Sequence, residues 1–166
     1  MKAKNLMLGL VVVLSLALAL PGAVLADNIT EVTGNVVEGY TFTAPAAIGL
    51  GDMEPGQTAT GESVGGQAGR LEGNHAAGYS VKAKDMNTSD TGRMTVGVNV
   101  LSQLLQISSD GTDYMTLDTE VAFFTTGAGP GSWDIPLHVK QVVTYEDPVA
   151  TGYSITITFT VTENTP

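Results

Sequence analysis

YSITITFTVT, residues 153–162, places an apolar side chain at every odd position and a hydroxyl at every even position. Successive side chains of a β-strand point to opposite faces, whereas a helix would scatter these apolar residues around its circumference. The pattern therefore predicts a strand with one face on a core and the other in water. The core face carries the odd positions, Tyr153, Ile155, Ile157, Phe159 and Val161.

Strand patterns recur through the rest of the chain and are separated by turns rich in glycine and proline. An Asp110-Gly111 pair between two apolar runs predicts a hairpin, and the best helical candidate, Val100–Leu105, is short. We predict an all-β fold, a single antiparallel β-sandwich of immunoglobulin-like or jelly-roll-like type with about eight or nine strands. Further predicted strands include residues 58–63, 78–84, 94–100 and 135–145.

The amino terminus has the composition of a secretory signal peptide. Lys2 and Lys4 precede an uncharged apolar run, and cleavage is expected after Ala26. The run is shorter than the ~20 residues that a membrane-spanning helix needs. We therefore expect a signal peptide over residues 1–26, an N-terminal β-segment over 27–43 and a β-sandwich domain over 44–166. The mature protein is expected to be secreted, outside the cell or on its surface, and not bound to a membrane.

The chain is strongly acidic, with 17 Asp and Glu against 7 Lys and Arg and a formal net charge of −10. Removal of Lys2 and Lys4 with the signal peptide makes the mature chain more acidic still. Such a charge repels phosphate, so nucleic acid and anionic lipid are not expected as partners. Cysteine is absent, so core burial or association with neighbours must replace disulfides as the source of stability.

No set of residues in the sequence indicates catalysis. The segment GESVG at 61–65 matches G-x-S-x-G, but that motif needs a parallel sheet with a helix after the serine, and no helix pattern follows Ser63. His75 and His138 are far apart and have no cysteine companions, so we interpret both as ordinary surface or loop histidines and not as zinc ligands. We therefore expect neither enzymatic activity nor a required cofactor.

Two groups of residues are candidates for an ion or a modification. Asp110, Asp113 and Asp118 surround the predicted hairpin, and their oxygen atoms suit calcium, although their spacing differs from that of the twelve-residue calcium loop. Asn28 and Asn87 each begin an N-x-[ST] sequon and are therefore glycosylation candidates.

Four segments together resemble a recurring family of secreted β-sandwich proteins. The signal peptide leads directly into the β-rich segment Ile29–Phe42, and an apolar run with a Pro-Gly turn follows at Ile48–Thr58. Gly73–Val81 is similar to an Asn-containing corner that leads into an alternating strand, and Tyr153–Thr162 provides the last strand. This arrangement resembles the TasA and camelysin matrix proteins of biofilms and the archaeal bundling pilins.

Subunits of that family join when the amino-terminal strand of one completes the sheet of the next. The resemblance therefore implies a non-enzymatic structural subunit of an extracellular filament, biofilm matrix or cell-surface layer, with copies of itself as partners. A second interpretation of residues 30–43 is that they pair within their own subunit as an ordinary first strand. The side chains that would plug a neighbour's groove are Val32, Val36, Tyr40 and Phe42.

The alternative function is a monomeric binding module associated with the cell envelope. Trp133 lies beside the glycine-rich stretch Gly127–Gly131, where an aromatic ring is able to stack on a sugar. Covering one end of the sandwich is the preferred interpretation of the same ring. The partner in this alternative is an envelope glycan or another protein, including other matrix proteins.

Overall fold

The computed structural model describes residues 33–165, of which those from Val37 onward belong to one compact unit. The expected signal peptide, Asn28 and Val32 lie outside the described residues. Within residues 33–165 the chain is nearly all β, with several antiparallel sheets in a sandwich-like arrangement. The predicted fold class is therefore confirmed.

Twelve strands are found within residues 33–165, and three of them are only two residues long. The remaining strands agree in number with the sequence prediction. The strands are β1 Tyr40–Thr43, β2 Thr58–Ser63, β3 Gly69–Gly73, β4 Tyr79–Asp85, β5 Thr95–Val96, β6 Asn99–Val100, β7 Gln106–Ser108, β8 Met115–Thr116, β9 Val121–Thr125, β10 Gly131–Ile135, β11 Leu137–Val142 and β12 Ile157–Glu163.

The strands form three larger sheets and a small hairpin, and neighbouring strands pair antiparallel. The strand orders are β1-β3-β10, β2-β11-β7-β8 and β12-β4-β9, and β5 pairs with β6. The strands nearest each end of the compact unit, β1 and β12, both lie at sheet edges. Edge strands carry unpaired main-chain groups on one side, which is where another strand can add.

The core lies where the inward faces of these strands meet. Along β4 the side chains of Tyr79, Val81 and Ala83 are fully buried and those of Lys82 and Lys84 are exposed, as the alternation predicts. The odd-numbered residues of 153–162 pack against the core but are only partly buried, because β12 is an edge strand. Regular strand begins at Ile157, and residues before it contribute a single bridge, from Ser154 to Thr95.

Three local predictions need correction. Residues 94–100 form the β5–β6 hairpin instead of one strand, because Gly97 adopts a positive φ of 59° and leaves Val98 at the tip, 96% exposed. The long strand predicted over residues 135–145 is shorter, since Ile135 ends β10, Pro136 has no N–H to donate to a sheet, and β11 covers only Leu137–Val142. Residues 100–105 are not helical, and Val100 belongs to β6.

Candidate functional site

Asn74 and Tyr79 hold the N-terminal segment to the core. The Asn74 side chain donates from Nδ2 to the carbonyl of Val37 (2.9 Å) and accepts the N–H of Gly39 at Oδ1 (2.8 Å). The Tyr79 hydroxyl donates to the carbonyl of Gly39 (3.0 Å). We call residues 74–79 the Asn74 corner. These three bonds all reach main-chain atoms of the N-terminal segment and none of its side chains.

Two glycines make this corner possible. A Cβ atom at Gly73 would overlap the ring of Tyr79. Gly78 has a φ of 79° and closes a turn by donating its N–H to the carbonyl of His75 (3.1 Å). The Tyr79 hydroxyl also accepts the N–H groups of Asn74 and His75, at 3.1 and 3.0 Å. The hydroxyl that binds the N-terminal segment is therefore fixed in place by the turn.

Strand β1 continues the attachment as an edge strand on β3, with four successive residue pairs. Phe42 packs against the core, and its ring centroid is 6.1 Å from that of Phe159. Tyr40 lies edge-on to Tyr79, with centroids 5.5 Å apart, yet remains 47% exposed. Main-chain bonds and one partly buried ring thus provide most of the attachment.

The structure places the predicted plug residues in different surroundings. Tyr40 and Phe42 lie on β1 and share its inward face, in agreement with their common parity. Val36 is 92% exposed, and Val32 lies outside the described residues. In a single copy β1 pairs with its own chain, as the second interpretation of the segment holds. Exchange of this strand between copies stays a prediction.

Residues 44–57 form a linker without regular strand between β1 and β2. The linker ends in the turn that its Pro-Gly pair predicts, since Gly56 has a φ of 80° and Gln57 donates its N–H to the carbonyl of Glu54 (3.1 Å). Ile48 packs against the core, but a groove of about 460 Å³ remains between the linker and residues 153–159. The linker therefore covers the β12 side of the core loosely.

The outward face of β3 carries charges that stay in water. Arg70 donates to Glu72 (2.8 Å) and lies 3.4 Å from a carboxylate oxygen of Asp134 on β10. The hydrogen bond from Arg70, and then its charge, hold the pKa of Glu72 below its ordinary value. These exposed pairs help to keep the outer surface of this sheet solvated.

Trp133 lies on β10 and not in a loop. Its ring is edge-on to that of Tyr79, with centroids 6.3 Å apart, and it packs partly buried against the core. A Cβ atom at Gly131 would lie 2.6 Å from the ring, so the indole also covers that glycine. The ring thus closes over part of the core, and contact with a glycan stays a prediction.

The predicted calcium residues do not form a common group of ligands. Asp110 accepts the N–H groups of Asp113 (3.0 Å) and Thr112 (2.8 Å) and the hydroxyl of Ser108 (2.8 Å). These bonds, of which that from Asp113 is the largest cause, hold the pKa of Asp110 well below its ordinary value. Asp110 thus shapes the turn between β7 and β8. Its carboxylate is not gathered with those of Asp113 and Asp118 into a set of mutually close ligand atoms, and calcium there stays a prediction.

The glycosylation candidate Asn87 makes a hydrogen bond within its own loop. The Oδ1 atom of Asn87 accepts the N–H of Ser89 (3.0 Å) in the loop after β4, and Asn87 is partly buried.

Ser63 is buried, and its hydroxyl donates to the carbonyl of Gln67. Only a three-residue 3₁₀ turn follows Ser63 before the next strand, so the expected lack of a helix after this serine is confirmed.

His75 belongs to a cluster that the sequence did not reveal. Ligand atoms of Glu38, His75 and Glu163 all lie within 4.8 Å of one another, and no other such trio of His, Asp or Glu occurs among residues 33–165. The side chain of His75 is only 13% exposed, unlike that of an ordinary surface histidine. The three residues lie far apart along the chain, so only knowledge of which strands border the His75 loop would have predicted their meeting.

Comparison with protein-family models and with curated proteins finds no match to this chain. Within residues 33–165 no helix has the length and apolar character needed to cross a membrane. Function must therefore be inferred from the chain itself, above all from the way its N-terminal segment is attached.

Proposed function

We propose that this chain is a secreted, non-enzymatic structural subunit of an extracellular filament, biofilm matrix or cell-surface layer. Its copies join when each inserts its N-terminal strand into the next. One observation carries the proposal: residues 37–43 are held through main-chain atoms, by the Asn74 corner and by the edge of β3. Every copy presents the same acceptor groups, so a neighbour is able to hold this segment by the same bonds.

The energetics of such an exchange are nearly balanced. The contacts that β1 loses in its own chain are those that it regains in a neighbour, as in domain swapping. The linker over residues 44–57 contains no regular strand. The N–H of Ala46 donates to the carbonyl of Gln67 (2.9 Å), and the bonds of Gly56 and Gln57 to Val143 lie at the far end of the linker, next to β2. An extended chain reaches at most about 3.3–3.6 Å for each residue. A head-to-tail contact that does not close generates an open filament.

Features of the sequence add further support. The amino-terminal composition is that of a secretory signal peptide, and a chain without cysteine gains a durable connection to its neighbours by lending a strand to them. Gly73–Val81, one of the segments on which the resemblance to biofilm matrix proteins rests, is also the segment that forms the Asn74 corner. The acidic surface keeps subunits soluble before assembly.

A cysteine pair across β1 and β3 tests the exchange. Thr41 and Glu72 are exposed register partners, and the chain has no native cysteine. Opposite Cβ atoms in an antiparallel pair lie about 4.5–5.5 Å apart, close to disulfide range. In assembled Thr41→Cys/Glu72→Cys protein we expect disulfides between subunits, seen as a ladder on a non-reducing gel that collapses to monomer on reduction.

The matched control is Lys84→Cys/Thr158→Cys, a register pair of β4 and β12. These strands pair within one chain in either arrangement, so this variant should give only monomers. A monomer band alone from the Thr41/Glu72 pair would refute strand exchange, and a dimer band alone would mean a closed swap without filaments. A protein that stays monomeric and loses glycan binding on Trp133→Ala would instead be the envelope-associated binding module.

A further inference from the structure

The Glu38–His75–Glu163 cluster joins three separate parts of the compact unit. Glu38 lies just before β1, His75 lies in the loop between β3 and β4, and Glu163 is the last residue of β12. Their ligand atoms lie within 4.8 Å of one another. The cluster therefore sits where the first and last parts of the compact unit meet.

Main-chain bonds hold the backbone on both sides of the cluster. Asn74 bonds the residues on either side of Glu38. Beyond Glu163, Asn164 donates its N–H to the carbonyl of Gly78 (3.0 Å) and its Nδ2 group to the carbonyl of Ala77 (3.1 Å). Hydrogen bonds thus fix the backbone of Glu38 and of Glu163 beside His75.

The imidazole of His75 is oriented by the same loop. Its Nδ1 atom is 3.2 Å from the carbonyl oxygen of Gly78 and 3.3 Å from the main-chain nitrogen of Ala77, and its Nε2 atom faces Glu38. The tautomer in which Nδ1 donates to the Gly78 carbonyl leaves Nε2 a lone pair directed toward the carboxylates, whereas the tautomer that accepts the Ala77 N–H carries its proton on Nε2. Metal binding at Nε2 selects the first tautomer. A backbone carbonyl on the second ring nitrogen is the usual support of a metal-binding histidine.

The spacing in the cluster suits a shared ion better than a direct hydrogen bond. Nε2 of His75 and Oε2 of Glu38 are 3.9 Å apart, beyond ordinary hydrogen-bond range. Two ligand atoms at about 2.0–2.2 Å from one tetrahedral zinc ion lie about 3.3–3.6 Å apart, a few tenths of an ångström closer than these two atoms. The Glu38 side chain is 60% exposed, so it has room for the small rotation that would complete the set.

We propose that Glu38, His75 and Glu163 bind a zinc ion, which links the N-terminal segment to the end of β12. One imidazole nitrogen and two carboxylate oxygens are zinc ligands, and a water molecule completes the four positions. Calcium and magnesium prefer sets made of oxygen alone, and calcium takes about six to eight of them. The two carboxylates balance the charge of the ion. This site does not depend on the proposed function.

Titration of the full exported chain with zinc chloride tests the site. By calorimetry we expect one zinc ion for each chain, and we expect the melting temperature to rise by about 5 °C or more when free zinc is about 100-fold above Kd. Calcium chloride at the same concentration should give no comparable rise. His75→Gln should weaken zinc binding by more than about 100-fold, because loss of even an outer partner of a ligand costs about 10- to 100-fold.

His138→Gln is the matched control, since Nδ1 of His138 is 3.3 Å from Glu62 but this pair belongs to no trio of close ligand atoms among residues 33–165. Its zinc binding should equal that of the unmodified chain. Glu163→Gln, an exposed change at the end of β12, provides a second test if His75→Gln folds poorly. Equal zinc isotherms for the unmodified chain and Glu163→Gln, or loss of binding in His138→Gln, would overturn the proposal.

Discussion

Tyr79→Ala is expected to lower the free energy of unfolding by roughly 3–5 kcal/mol, as truncation of a large buried aromatic residue does. Tyr79 is fully buried, and its ring meets those of Tyr40, His75 and Trp133. The substitution removes this packing and the hydroxyl that binds Gly39. Urea denaturation followed by tryptophan fluorescence measures the loss. Tyr145→Ala, at an 86% exposed tyrosine, should change stability by less than about 0.5 kcal/mol.

Tyr79→Phe removes the hydroxyl and keeps the ring, so it measures the contribution of the hydroxyl alone. The hydroxyl bonds three main-chain groups, so its loss should cost roughly 1–3 kcal/mol. Hydrogen exchange should also speed up at residues 39–43, because the hydroxyl anchors the start of β1. Unchanged protection of β1 in Tyr79→Phe would show that the Tyr79 hydroxyl does not hold this strand. A loss below about 1 kcal/mol in Tyr79→Ala would contradict the packing argument itself.

Gly78→Ala is the second substitution with a large expected effect. Gly78 has a φ of 79°, where an L-residue pays about 1–2 kcal/mol. Its new Cβ atom would overlap the carbonyl of Gly127 and lie 2.6 Å from Oγ1 of Thr126, and such overpacking costs about 1–3 kcal/mol more. We therefore expect Gly78→Ala to lower the free energy of unfolding, measured by urea denaturation, by roughly 2–5 kcal/mol in total.

Gly97→Ala isolates the backbone part of that cost. Gly97 also has a positive φ, of 59°, but no atom lies within 4 Å of the place where its Cβ would be. We therefore expect Gly97→Ala to lower the free energy of unfolding by only about 1–2 kcal/mol. Equal losses at Gly78 and Gly97 would show that Gly127 and Thr126 move aside, and that the corner is less rigid than its hydrogen bonds suggest.

Local alternation predicted the fold well because a period of two is a property of each strand by itself. It identified the buried face of β4 at Tyr79 and Val81 and the inward face of β12 at Phe159. It failed at residues 94–100, where apolar residues also alternate but Gly97 reverses the chain. Alternation shows which residues lie on the same face of a strand, but it does not show where the strand ends.

Sequence patterns predicted little of the candidate site, for a different reason. Asn74 lies in a segment that the family resemblance marked, but its partners are main-chain atoms of Val37 and Gly39, which carry no side-chain signature. Glu38 and Glu163 reach His75 only because β1 and β12 run past the same corner. Such meetings follow from sheet order, which local patterns do not specify.

The position of Glu38 bears on how firmly subunits would hold together in a polymer. This residue precedes the strand that is exchanged under the proposed function, whereas His75 and Glu163 belong to the body that receives that strand. In a polymer, each joint would then draw its metal ligands from two successive molecules. Chelation with EDTA would weaken every joint at once, and fibres would shorten, which light scattering would detect as falling intensity.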